Sequence, residues 1–223
     1  MADDTILILA DGEWGIPARL RDAVARADSV IAADGGWAKA RAAGVRVDAV
    51  IGDLDSLSPE DRARLSRESI EVHRYPPDKD QVDLELAIDF ALARSPAKIL
   101  VYGGIGGRLD HTLSNVFLLE KVVERNVHVE LIADEETAWL IRDKLVLPHV
   151  RPGDRISLIP FSIEAAVRTS GLKYPLDDEV LVRSAARGVS NVVTSSPVRI
   201  TVHSGTLLIA HAPKSHRTEG VPP

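Results

Sequence analysis

The chain has 223 residues, 45 % of them hydrophobic and 27 % charged, with a formal net charge of −6 and no cysteine. That content supports a buried core in one large or two modest domains, and its mixed, slightly acidic charge excludes the basic footprint of a nucleic-acid binder. The lack of cysteine excludes disulfides, thiolate metal sites and cysteine nucleophiles, and the short apolar run ILILA is too brief for a signal peptide or membrane span, so a cytoplasmic protein is expected.

In chain order, residues 6–9 read as a strand and Pro17 opens a helix in PARLRDAVARA. Residues 29–33 form the next strand, the alanine-rich stretch from Trp37 to Ala43 a helix, and residues 49–51 a third strand. Pro59 opens PEDRARL behind the cap candidate Ser58, and a helix starts at Asp80 or Gln81 in VDLELAIDFALA. KILVY at 98–102 is a buried strand, LSNVFLLEKVVE has apolar residues at helical spacing, and 129–133 is again strand. This alternation predicts an α/β fold, a mainly parallel sheet with helices on both faces, whose ligands bind at the carboxyl ends of the strands.

From about Leu147 the pattern changes to short strands: RISLIPF, AAVRTS, VLVRSA, VRITVH and TLLIAHA, with Ser204-Gly205 as the tip of a final hairpin. The turn-rich PHVRPGD sets the boundary, giving an α/β domain over 1–147, a smaller all-β domain over 148–213 and a polar tail over 214–223. So small a β domain is expected to bury a face against the first domain or another subunit, which makes a dimer plausible.

The most informative stretch is GGIGGRLDHTLSN at 103–115, a strand, a glycine-rich loop and a helix start in succession. Gly103, Gly104, Gly106 and Gly107 let backbone N–H groups approach phosphate oxygens, the helix start adds unpaired donors, and Arg108 offers a charged contact. The same glycines would also suit close strand-to-helix packing. Carboxylates gather at the other strand ends: Asp53 and Asp55 in VIGDLDS, and Asp34 before Gly35 and Gly36 in AADGG. Asp78, Lys79, Asp80 and Asp83 lie in PPDKDQVDLELAI, and Asp110 in the glycine loop. A lone DxD can be an Asx-turn, and Asp80 with Asp83 can be a capping box. Together, so many acids facing an anion loop read as a magnesium–nucleotide site for phosphoryl or pyrophosphoryl transfer.

In order along the chain, AADGG with DAVIGDLDS, PPDKDQVDLELAI, GGIGGRLDHTLSN, and GLKYPL with GVSN resemble the blocks of the thiamine pyrophosphokinase (thiamine diphosphokinase) family. The resemblance covers nearly the whole chain and implies a β-sandwich-like second domain that binds thiamine. It also implies a homodimer with active sites between subunits, and attack of the thiamine hydroxyl on the β-phosphorus of Mg-ATP. It assigns Asp53, Asp55 and Asp83, with Asp80 nearby, to metal and phosphate positioning, and Lys79 and Arg108 to neutralising charge on the transferred group. Asp34, Gly35, Gly36 and the glycines of the loop would approach the nucleotide, and Asp110, His111 and Asn115 would line the site. Ser190 and Asn191 would contact the thiamine pyrimidine. His111 is a second candidate for the base beside the aspartates, and Trp14, Trp37 and Trp139 are read as core or as stacking partners. Val82 stands where the family usually has threonine, and Glu136-Thr137-Ala138 where it tends to have an asparagine. Two other readings compete: a pyrophosphokinase for another alcohol, such as a hydroxymethylpterin, and a catalytically silent nucleotide-binding module.

Overall fold

The structure, a computed structural model, describes residues 4–214, so residues 215–223 of the polar tail lie outside it. The chain divides into two compact units at Asp134/Glu135.

Among the described residues of the first unit six strands alternate with five helices: β1 (Thr5–Leu9), α1 (Pro17–Ala25), β2 (Ser29–Ala33), α2 (Gly36–Ala42), β3 (Ala49–Gly52) and α3 (Pro59–Leu65) come first. β4 (Glu71–Arg74), α4 (Asp83–Leu92), β5 (Lys98–Tyr102), α5 (Leu109–Val123) and β6 (His128–Ile132) follow. All strand pairings are parallel, in the order β6-β5-β1-β2-β3-β4. Strand alternation sends Leu7, Leu9, Val30, Ala32 and Leu100 to one face, where they pack with Leu20 and Ala23 of α1, Trp37 and Ala40 of α2 and Leu65 of α3. α4 packs against β1, β2 and β3, and α5 against β6 and α4. Both faces are therefore apolar and the central strands carry unbroken aliphatic runs, as a covered parallel sheet requires.

β4 has no counterpart among the strands read from the sequence. Its EVHR is a short, mostly exposed edge strand paired to β3, without the apolar run that marks the inner strands.

The described residues of the second unit form two antiparallel sheets. One is β12 (Asn191–Val192), β9 (Arg155–Pro160), β14 (Leu207–Ala212) and β7 (Thr137–Ile141); the other is β11 (Glu179–Val182), β10 (Glu164–Ser170), β13 (Val198–Ser204) and β8 (Lys144–Leu147). One core joins them: Ile156, Leu158, Leu207 and Ile209 from the first interdigitate with Val167, Leu181, Val198 and Ile200 from the second. This is a β-sandwich.

Two expectations change here. The units divide before the 147/148 boundary read from the sequence, because β7 pairs with β14 and β8 with β13, which places both in the sandwich. The turn at Ser204-Gly205 is not a hairpin tip. β13 pairs with β8 and β10 while β14 pairs with β7 and β9, so the turn carries the chain from one layer to the other. A two-residue turn between alternating strands has the same sequence signature in either role. Among the described residues, no helix is long and apolar enough to cross a membrane.

Candidate active site

β1 lies mid-sheet; the chain builds outward through β2, β3 and β4, then returns to place β5 and β6 on the other side. The loops leaving β1 and β5 therefore diverge, and a crevice opens at the carboxyl ends of these two strands. A cleft of about 1350 Å³ occupies this position. The loop after β1 and the glycine loop after β5 line it, joined by Asp34 after β2, Lys79 and Asp83 after β4, and Asp134 after β6.

The two loops form a single floor. The Gly12 N–H donates to the Gly103 carbonyl at 2.9 Å, and a Cβ on Gly12 would stand 2.1 Å from that oxygen. Only glycine permits this approach. Trp14 Nε1 donates to the Ala10 carbonyl at 2.9 Å, and its ring meets Tyr102 edge-on at 5.4 Å. Asp134 Oδ1 accepts from the Ile16 N–H at 2.8 Å and from the Tyr102 hydroxyl at 3.3 Å. Burial and Asp134 push the Tyr102 phenol up to about 12, so it stays a donor. On the other wall Asn115 Nδ2 donates to the Gly104 carbonyl at 2.9 Å and Thr112 Oγ1 accepts from the Gly106 N–H at 3.3 Å. Asn115, which the resemblance places along the site, lines the cleft and also braces the loop.

Three of the helices that start at this edge carry no side-chain cap. Gly35, Val82 and Arg108 stand at the N-caps of α2, α4 and α5 without a capping hydrogen bond, whereas Ser58 caps α3 by accepting from the Asp61 N–H at 3.1 Å. Uncapped first turns leave donors and a positive dipole end for an anion. Val82 takes part in this: a threonine there could cap α4, a contribution of about 1 kcal/mol. Helix α4 begins at Asp83, later than the start at Asp80 or Gln81 read from the sequence, so the proposed capping box does not form.

The carboxylates converge around a buried glycine. A Cβ on Gly52 would stand 3.0 Å from both the Asp34 Cβ and Asp83 Oδ1. Asp34 is buried and takes a positive φ of 41°, a conformation aspartate tolerates better than most residues. One oxygen from each of Asp34, Asp53 and Asp55 lies within 4.8 Å of the others. Opposite ligands of a magnesium ion stand about 4.2 Å apart, twice its bond length, so small side-chain rotations close this set.

Lys79 Nζ bridges Asp53 Oδ2 at 2.5 Å and Asp83 Oδ1 at 3.0 Å in a largely buried arrangement. Its hydrogen bond holds the Asp53 carboxyl below the usual range, while Asp55, hydrogen-bonded to Asp53 and beside its charge, is raised. Burial, with the charges of Asp83 and Asp53, pushes the Asp34 carboxyl up against a hydrogen bond from Ser56. Asp34 Oδ1 is buried with no hydrogen-bond partner, whereas Asp83 Oδ1 is held by the Lys79 ammonium at 3.0 Å. A buried carboxylate oxygen left as Asp34 Oδ1 is fits a hard cation.

Other residues singled out in the sequence are distributed as follows. Arg108 and Asp110 line the cleft and hold each other in an exposed two-point pair at 2.5 and 3.1 Å, and His111 lines the cleft at the start of α5. Gly35 and Gly36 pack under the loop after β1, where a Cβ would stand 2.6 Å from Asp11 Oδ2 and 2.2 Å from the Leu9 carbonyl. Asp80 is exposed and, like Asp53 and Asp55, is not among the residues that line the cleft; the close carboxylate set is Asp34, Asp53 and Asp55. In the second unit Asn191 is buried, its Oδ1 accepting from the Tyr174 and Val192 N–H groups at 3.1 and 2.9 Å and its Nδ2 donating to the Tyr174 carbonyl at 2.7 Å. These bonds join GLKYPL to GVSN. Ser190, exposed with φ 59°, is the outward-facing member of the pair. Trp37 is core and Trp14 lines the cleft. The loop after β1, with Asp11, Gly12, Glu13 and Gly15, is absent from the sequence-derived site; two glycines after a buried strand at the expected sheet edge were its signal.

A family model described as thiamin pyrophosphokinase, catalytic domain, matches residues 20–131, and one described as thiamin pyrophosphokinase, vitamin B1 binding domain, matches residues 144–207. The thiamine pyrophosphokinase of Bacillus subtilis (strain 168) is 32 % identical over 169 residues, 75 % of this chain and 79 % of that protein. Thiamine pyrophosphokinase 1 of Oryza sativa subsp. japonica is 29 % identical over 168 residues, 70 % of this chain and 63 % of the relative. A solved structure of the Bacillus subtilis thiamine pyrophosphokinase superposes with a TM-score of 0.85 at 28 % identity, over 95 % of this chain and 100 % of that one. The thiamin pyrophosphokinase from Candida albicans shares the fold at a TM-score of 0.82 and 17 % identity, over 95 % and 90 %. With the two family models matching in succession and a relative of this identity across three quarters of its length, the chain belongs to the thiamine pyrophosphokinase family.

Proposed function

We propose that this chain transfers the pyrophosphoryl group of Mg-ATP to the hydroxyl of thiamine, giving thiamine diphosphate and AMP. The observation that carries the reading is the carboxylate set of Asp34, Asp53 and Asp55, with oxygens within 4.8 Å of one another and one of them buried without a partner, at the strand ends where a glycine loop opens a cleft. In the transfer the thiamine oxygen bonds the β-phosphorus, the bond between that phosphorus and the oxygen bridging it to the α-phosphorus breaks, and AMP departs with the electron pair. The hydroxyl proton passes to a carboxylate or to water.

Asp34, Asp53 and Asp55 would hold magnesium, which would supply positive charge to a polyphosphate and to the leaving AMP. Lys79 fixes Asp53 and Asp83 relative to each other, so the cluster keeps its shape before substrate arrives. Arg108 is held by an exposed pair with Asp110, which costs little to exchange for a phosphate. The uncapped start of α5 adds backbone donors beside it. In the second unit the turn at 190–191 would face the pyrimidine, with Ser190 as the contact and Asn191 as its support. A cytoplasmic homodimer with active sites at the subunit interface completes the reading and rests on the family resemblance.

Offering thiamine and a hydroxymethylpterin together, at equal concentration with Mg-ATP, tests the substrate. The diphosphate of thiamine alone is expected; a diphosphorylated pterin would give the site to another alcohol.

A further inference from the structure

Lys39 stands on α2 and lines the cleft, where a cation is readily taken for a phosphate ligand. Its surroundings give it another task. Nζ lies 2.6 Å from the Asp11 carbonyl, 2.7 Å from the Gly12 carbonyl and 2.9 Å from Asp11 Oδ1. An ammonium has three N–H donors, and three acceptors engage them.

The contacts reach further through the backbone. Gly12 donates to the Gly103 carbonyl at 2.9 Å, and Asp11 Oδ2 lies 2.6 Å from where a Cβ on Gly35 would stand. The start of α2, the loop after β1 and the glycine loop after β5 thus form one block, with Lys39 as its charged fastening. Electrostatics point the same way. The loop brings Asp11 and Glu13 to a cleft that is read here as receiving a polyanion, and Lys39 neutralises Asp11 and two carbonyl oxygens beside it.

We propose that Lys39 is a positioning residue for nucleotide: it fastens the loop after β1 and cancels the Asp11 charge so that the cleft accepts the polyphosphate. The inference rests on the functional reading above. Lys39 acts through the loop and contacts no reacting atom.

Steady-state kinetics of Lys39→Met, Asp11→Asn and the double variant test it. Lys39→Met is expected to raise the KM for ATP about tenfold while that for thiamine stays within about twofold. Adding Asp11→Asn removes the carboxylate left unpaired, and part of the ATP affinity is expected to return, a non-additive result. Lys39→Arg keeps the charge and should fall nearer to wild type. A merely structural lysine would lower the active fraction and leave both KM values alone, and that outcome, or an equal rise in both, overturns the proposal. If Lys39→Met does not fold, Lys39→Arg and Lys39→Gln carry the same comparison, with Gln expected to be the more impaired for ATP. Calorimetry with a non-hydrolysable Mg-ATP analogue separates the two levels: a wild type that binds no nucleotide defeats the functional reading, whereas binding unchanged by Lys39→Met defeats this inference alone.

Discussion

Asp34 concentrates the conflict between stability and chemistry. It is buried, holds a positive φ, leaves one oxygen without a hydrogen bond and has a carboxyl pushed up by burial and by its acidic neighbours. Each of these raises the energy of the folded chain, as strained groups at functional sites do. Asp34→Asn removes a charge from a crowded set while keeping the shape. It is therefore expected to lower turnover about a hundredfold, the scale of losing one electrostatic group at a transition state, with a Tm equal to or above that of wild type. Thermal unfolding beside an activity assay checks both; a lowered Tm with normal turnover would assign Asp34 to the fold. The acids at 34, 53, 55 and 83 were legible in the sequence because each follows a strand or opens a helix at one sheet edge. Their division was not. Lys79 inserts between Asp53 and Asp83, which leaves Asp34 as the third member of the close set, and that depends on Gly52 and on where α4 begins.

At the scale of elements, the sandwich is secured by a buried carboxylate. Asp154 accepts from the Arg151 and Lys214 N–H groups at 2.9 Å each and pairs with His211 on β14 at 3.0 Å. Burial alone would raise its carboxyl, but the two backbone donors and His211 outweigh that, and its pKa is lowered. A lowered folded pKa contributes stability that is present above the unfolded value of about 3.9 and is lost as pH falls through the folded one. Asp154→Ala is therefore expected to lower the Tm at pH 7, with the gap to wild type narrowing below about pH 4. A gap constant across that range would show that packing, not charge, is what the substitution removes. The buried strands β1, β2, β3, β5 and β6 were readable because burial on both faces demands continuous aliphatic runs. β4 was not, since an edge strand is selected against looking like a strand. Nor could the pairing of β13 and β14 with different sheets be read, because alternation records which side is buried and not which neighbour is bonded.

Across the molecule, the parallel sheet of the first unit gathers charged and glycine-rich loops at one edge, and the sandwich of the second carries the turn at 190–191. The first arrangement follows from strand order, which opens a crevice between β1 and β5 whatever the loops contain. The loops then give it chemistry. The central claim is that this chemistry moves two phosphorus atoms in one step. It is tested most directly by following all three phosphates of ATP during turnover with thiamine and magnesium, with phosphorus-31 NMR or mass spectrometry as the readout. AMP and thiamine diphosphate appearing in equal amounts, without ADP or thiamine monophosphate on the way, is the predicted result. Accumulation of ADP with thiamine monophosphate, or hydrolysis of ATP with thiamine unchanged, would contradict it.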